Sequence, residues 1–194
     1  MAVGLAGVVG CGCAAPPRAP DAAPGTPDLA RADERVIFDF QANRSAQGWQ
    51  LEDDVVMGGR SRGAFGIHPA GRGVFSGVVS LENNGGFSSV QYFFEPIDIR
   101  GYTTAVIRLK GDGRKYRFLA EAEKKARHYY VYEFPTSGDW ETVSIPLREM
   151  VPERRGDRID IPNFPAETMA QVRFLISNGK AESFRLEVER IALK

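Results

Sequence analysis

From Val36 to Lys194 the apolar residues tend to recur at every second position, and no stretch carries the spacing of an amphipathic helix. Successive side chains of a strand point to opposite faces, so this pattern predicts strands with one buried side. Val74–Leu81 (VFSGVVSL) puts Phe75, Val79 and Leu81 on one face. Phe87–Phe94 (FSSVQYFF) sets Val90, Tyr92 and Phe94 against Phe87 and Phe93. Thr104–Lys110 (TAVIRLK) turns Ala105, Ile107 and Leu109 inward. β-Branched and aromatic residues are frequent in these runs, as strands favour. Gly111-Asp112-Gly113 comes next, and Lys115–Ala122 (KYRFLAEA) alternates in turn, which predicts a hairpin across those glycines.

Further strands are expected at Val36–Phe40, Trp49–Glu52, Tyr129–Phe134, Trp140–Ile145, Gln171–Ser177 and Ser183–Leu193. Leu147–Val151 has room for a helical turn, confined by Pro146 and Pro152. Glu153–Pro165 (ERRGDRIDIPNFP) reads as the one long irregular loop. About nine or ten strands, with turns between them and no helices, must pair antiparallel. The expected fold is all-β: an antiparallel β-sandwich of jelly-roll type over residues 36–194.

The N-terminal residues are of a different kind. Met1–Gly10 is apolar and rich in Gly and Ala, and the order Val8-Val9-Gly10-Cys11 resembles a bacterial lipobox. Residues 1–13 are therefore expected to be the remnant of a lipoprotein signal, with Cys11 lipidated. Residues 14–35 are rich in Pro and Ala and read as a disordered tether. This arrangement implies a bacterial envelope protein held to the membrane by its lipid alone. Both cysteines, Cys11 and Cys13, precede the domain, which leaves it without a disulfide, a thiolate nucleophile or a cysteine-based zinc site.

Lys+Arg and Asp+Glu both total 25, so no net field draws the chain to nucleic acid. His68 and His128 stand apart, outside any metal-ligand spacing, and no nucleophile elbow, phosphate loop or dinucleotide fingerprint occurs. No catalytic residue, metal site or cofactor is expected. Two polar loops draw the eye instead: Asp53–Gly63 (DDVVMGGRSRG) and Leu81–Val90 (LENNGGFSSV). In each, a glycine pair lets the backbone lie close to a neighbour, and carboxylates or amides beside it can bond to backbone, to a cation or to a ligand. Tight turns would use the same residues. Two interruptions of this kind point to one patch, and Asp54 and Asn84 are expected close together.

DDVVMGG, followed by FSGVVSLENNGGFSSV, resembles the complex I intermediate-associated protein 30 family. GYTTAVIRLKGDGRKYRF, YYVYEF, GDWETVSIPL and FLISNGKAESFRLEVERI continue the likeness over nearly all of residues 36–194. The resemblance implies a galactose-binding-domain-like jelly roll, related in fold to family 11 carbohydrate-binding modules, and an assembly factor with no catalytic reaction. Its motif positions fall on Asp53, Asp54, Met57, Gly58, Gly59 and Ser61, then on Asn83, Asn84, Gly85, Gly86 and Phe87.

Aromatic residues leave two alternatives open. Tyr130, Tyr132 and Trp140, with Trp49, Tyr92, Tyr116 and Tyr129, either fill the core or form a platform on which sugars stack. Tyr130 and Tyr132 share a face with Phe134, and Tyr129 shares the other with Val131 and Glu133. The expected function is a non-catalytic binding or assembly module with a protein partner, such as a membrane complex. The alternative is a module that recognises an envelope glycan.

Overall fold

The computed structural model describes residues 1–2 and 34–194. Cys11, Cys13 and nearly all of the Pro/Ala-rich stretch lie outside them. Met1–Ala32 and Asp33–Lys194 form separate units, and the second carries every element below. No described helix is long and apolar enough to cross a membrane.

Thirteen strands build two antiparallel sheets. The six-stranded sheet holds β3 (Arg62–His68), β4 (Arg72–Val79), β13 (Glu182–Leu193), β6 (Thr104–Lys110) and β9 (Trp140–Pro146) in that order, with β1 (Arg35–Asp39) also paired to β13. The seven-stranded sheet runs β11 (Asp157–Arg158), β10 (Val151–Arg154), β8 (Tyr129–Pro135), β7 (Lys115–Glu121), β12 (Thr168–Ile176), β5 (Ser88–Asp98), β2 (Trp49–Asp53). Alternation drives this layering. Tyr116, Phe118 and Ala120 of β7 and Val172, Phe174 and Ile176 of β12 meet Phe75, Ile107, Leu109, Ile145 and Leu186 from the facing sheet. Phe38, Phe40 and Trp49 close one end of this core, with Trp49 stacked on Tyr92 at 5.2 Å. The sandwich is the fold that the alternation predicted.

Three local expectations are corrected. Thr104–Lys110 and Lys115–Glu121 do not form a hairpin: β6 and β7 lie in different sheets, and the Gly111–Arg114 segment crosses between them. Asp112 accepts hydrogen bonds from the Arg185 amide of β13 (2.7 Å) and the Tyr116 hydroxyl (3.1 Å), so the turn is tied to another strand rather than closed on itself. A Cβ on Gly111 would sit 2.2 Å from Thr136, which belongs to the return crossover between β8 and β9. Both a hairpin and a crossover turn the same residues inward, so alternation cannot separate them. The stretch after Glu153 is not wholly irregular either. β10 and β11 pair across Arg155 and Gly156, whose φ values of 55° and 91° make the tight turn. Leu81 does not join Phe75 and Val79 in the core; β4 ends at Val79, and Leu81 lies exposed at the start of the next loop.

Candidate functional site

Topology brings the two glycine loops together. The first leaves β2 of the seven-stranded sheet for β3, and the second leaves β4 for β5 on the way back. Because β2 pairs with β5 and β3 with β4, both crossings occur at the same end of the sandwich.

Asp54 binds them. Its side chain is fully buried at the start of a 3-10 turn, Asp54–Met57, which Gly58 closes. Oδ1 accepts from the Ser61 amide (2.9 Å), and Oδ2 accepts from the Ser61 hydroxyl (2.5 Å), the Gly86 amide (2.6 Å) and the Phe87 amide (3.2 Å). Ser61 Oγ in turn accepts from the Ser80 amide at 3.0 Å. Glycine is needed where this carboxylate sits: a Cβ on Gly59 would lie 2.3 Å from Oδ1, and one on Gly85 would lie 2.6 Å from Oδ2. Burial pushes the Asp54 carboxyl up, but the Ser61 hydroxyl and the Gly86, Ser61 and Phe87 amides outweigh it and hold the group below its ordinary value. Asp53 ties the neighbouring strands, accepting from Ser88 Oγ (2.5 Å) and the Gly63 amide (2.8 Å).

These contacts divide the motif residues into two sets. Asp54, Gly59 and Ser61 are buried and Asp53 is half-buried, and every carboxylate oxygen of Asp53 and Asp54 accepts a hydrogen bond from the chain itself. Met57, Gly58, Asn83 and Asn84 are exposed, while Gly85, Gly86 and Phe87 are half-buried. Asn83 donates to the Gly58 carbonyl at 3.2 Å, joining the loops again at the surface. Phe87 packs on Leu119, Val131 and Leu175.

Of the apex of the patch, the sequence singled out Met57 and missed Val55 and Val56. Val55, Val56 and Met57 are 59%, 72% and 67% exposed, with Leu81 nearby in the other loop at 45%. Three consecutive apolar residues inside a Gly- and Asp-rich loop were the available signal. Around them stand Asn83, Asn84 and an Arg60–Glu82 ion pair at 3.2 Å.

The aromatic platform of Tyr130, Tyr132 and Trp140 does not exist. Tyr130 and Tyr132 face the core, Tyr130 against Phe164 at 4.8 Å. Trp140 belongs to the other sheet, flanked by the guanidinium groups of Arg72 and Arg108, each 5.6 Å from its ring. His128 contacts the Tyr130 hydroxyl at 3.1 Å and His68 contacts Arg72 at 2.9 Å. Among the described residues no group of three His, Cys, Asp or Glu is placed to hold a metal.

A second polar assembly lies on the outer face of the seven-stranded sheet. Glu52, Arg173, Gln91, Gln171 and Glu121 form a connected chain across β2, β5, β12 and β7. Arg173 reaches Glu52 at 3.1 Å and also bonds Gln91. The Gln171 amide sits between Gln91 (2.8 Å) and the Glu121 carboxylate (2.6 and 3.0 Å). Burial raises the Glu121 carboxyl above its ordinary value, against the pull of Arg173 and the Ala126 amide.

The model of complex I intermediate-associated protein 30 matches residues 38–188. The chain belongs to that family. No curated protein matches it in sequence. In fold it is similar to the family 11 carbohydrate-binding module from Clostridium thermocellum in complex with a β-1,3-1,4-mixed-linked tetrasaccharide. The TM-score is 0.63 at 16% identity, over 82% of this chain and 94% of that one. The same module of the cellulase Lic26A-Cel5E of that organism gives 0.63 at 17% identity, over 82% and 93%. Together with the two antiparallel sheets, these likenesses make the domain a galactose-binding-like jelly roll.

Proposed function

We propose that the domain is a non-catalytic docking module that presents the Val55–Val56–Met57 apex to a protein subunit during assembly of a membrane complex. The observation that carries this reading is an exposed apolar triplet fixed from beneath by a buried carboxylate. An interface gains most from apolar anchors that are already ordered before binding, with a polar rim around them. Asn83, Asn84 and the Arg60–Glu82 pair supply that rim. The family description, association with an intermediate of complex I, agrees in kind. Cys11 completes the proposal as a lipid anchor at the bacterial envelope, with residues 14–35 as the spacer to the domain.

Val56→Asp combined with Met57→Asp tests it. Captured from native membranes by the full-length chain, a stoichiometric subunit should be lost about thirtyfold, the effect of removing a hot spot of about 2 kcal/mol. Undiminished capture by a folded double variant would sink the docking site. Cys11→Ser should move the chain from the membrane pellet to the soluble fraction, and unchanged pelleting would remove the anchor from the proposal.

A second reading, a carbohydrate-binding module, is favoured by the polar row on the outer sheet face and by the similarity in fold to the family 11 modules. A glycan array probed with the full-length chain separates it from the first.

A further inference from the structure

We propose that two basic turns, at the end of the sandwich where the chain enters the domain, form a contact surface for anionic phospholipid headgroups. Lys125 and Arg127 of the β7–β8 turn and Arg154, Arg155 and Arg158 of the β10–β11 hairpin supply it. The contact itself is independent of the readings above; the orientation it gives the domain rests on the docking apex and the lipid anchor proposed there.

Register brings the two turns together. Glu153 of β10 is opposite Tyr129, the first residue of β8, so Arg154 and Arg155 stand beside the residues that lead into β8. The Gly156 amide donates to the Tyr129 hydroxyl at 2.9 Å and ties the hairpin to that strand. On the other side the Ala126 amide bonds Glu121, the last residue of β7. Lys125 and Arg155 hold φ values of 60° and 55°, a left-handed conformation that long side chains seldom adopt. Each turn thus places a cation where a glycine or asparagine would sit more easily.

The charge there is unbalanced. Residues 122–128 and 153–158 hold six Lys and Arg against three Asp and Glu. Lys124 is bound to Glu95, and Glu153 to Arg117. The other five cations are exposed and form no ion pair among the described residues, with Glu123 and Asp157 as the acids left in the two turns. Lys+Arg and Asp+Glu are equal in number over the whole chain, so this excess is local. The cations stand at the ends of β7, β8, β10 and β11, three strand spacings or about 14 Å across. A single phosphate is held by donors that converge on it. A row this wide matches several headgroups side by side.

The point of chain entry selects a membrane over other polyanions. β1 begins at Arg35, whose guanidinium donates to the Asp98 carbonyl at 3.1 Å, at the end of β5. Lys124 is bound to Glu95 of the same strand. The residues leading into the domain therefore join it at the end that carries the basic turns, and a tether that ends in a bilayer draws this end to the surface. A nucleic acid or an acidic protein gives no reason for the two to coincide. The glycine loops lie at the other end: β5 starts at Ser88, opposite Asp53, and its 11 residues span about 33 Å. A domain resting on its basic turns holds Val55–Met57 away from the bilayer and open to a partner subunit. Each cation at an anionic surface adds about fivefold in affinity. Alone such a contact is weak, but beside a tether it acts at high effective concentration.

The experiment is flotation of the full-length chain, kept free of lipid by Cys11→Ser, at low salt with two kinds of vesicle. One is phosphatidylcholine alone, and the other is equal parts phosphatidylcholine and phosphatidylglycerol. Binding is expected to the mixed vesicles only and should fade as salt is raised. Arg127→Gln combined with Arg154→Gln, both at exposed positions, should weaken it about thirtyfold. Arg62→Gln combined with Lys180→Gln removes the same charge at the far end, where β3 begins and β12 has ended opposite Ser88, and should weaken it less than about twofold. Equal binding to both vesicles, binding to neither, or equal loss in the two double variants overturns the proposal. So does retention on an immobilised polyanion such as heparin without binding to the mixed vesicles. None of these outcomes bears on the anchor or the apex, which pelleting and subunit capture read separately.

Discussion

The loop patch and the outer sheet row both gather carboxylates and amides, yet they are held in opposite ways. In the patch a single carboxylate is sunk below the surface and saturated mainly by backbone amides, while apolar side chains stand outside. In the row, side chains bond one another laterally on a frame that the strands already fix. Backbone amides cannot move away when their acceptor is removed, whereas side chains can rotate to new partners or to water. The patch should therefore be brittle and the row forgiving.

The largest effect is expected at Asp54. Asp54→Ala leaves the Ser61, Gly86 and Phe87 donors unpaired in a buried site and should cost about 3 kcal/mol, lowering the melting temperature by roughly 6–12 °C. A loss below about 1 kcal/mol in denaturant unfolding would remove the contrast. Acid should reveal the same group. Because its folded value is depressed, its contribution is complete above the ordinary 3.8 and is lost as pH falls through the folded value. Asp54→Asn should abolish that part of the slope in stability against pH, and an unchanged slope would assign acid sensitivity to other groups.

Next comes Gly59→Ala, whose methyl group meets the Asp54 carboxylate and should cost about 2 kcal/mol. Gly66→Ala, in a strand position with open space around its Cβ, should change stability by no more than about 0.5 kcal/mol. Equal effects at the two glycines would show that the carboxylate can move aside. The smallest effect is expected in the row. Glu121 is easier to protonate in the folded state, so its contribution is complete below the ordinary 4.5 and is lost as pH rises through the folded value. Glu121→Gln should thus stabilise the domain at pH 7 by less than about 1 kcal/mol, given that the group is partly screened by solvent, and should gain nothing near pH 4. Destabilisation at pH 7 would mean that attraction to the nearby Arg173 charge outweighs burial.

The layered fold was legible because Phe75, Ile107, Phe118 and Phe174 sit in plain alternation, and alternation is set by the pleat alone. The pairing of strands was less so: the turn at Gly111–Gly113 looks local, and only the Asp112 bond to the Arg185 amide and the closeness of Gly111 to Thr136 show a crossover. The nearness of the two glycine loops could be inferred from their shared chemistry. Which of their residues faced outward could not, since Asp54 and Met57 are neighbours in one short turn with opposite fates. The outer row escaped notice because Gln91, Gln171 and Glu121 are far apart in the chain. Only register makes them adjacent.

The position of β13 has a kinetic consequence. This last strand lies inside the six-stranded sheet, bonded to β4 along one part and to β1 along another, with β6 on its opposite edge. Arg190 reaches Glu34 across 156 positions of sequence. Before β13 arrives, β1 has no partner strand and β4 is separated from β6. A chain emerging from the ribosome N-terminus first therefore cannot close this sheet until Glu182–Leu193 has been released. Closing loops of that length makes folding slow for a domain of this size. Deleting β13 should leave an open, aggregation-prone chain rather than a smaller sandwich, because the edges of β4, β6 and β1 would lie bare together.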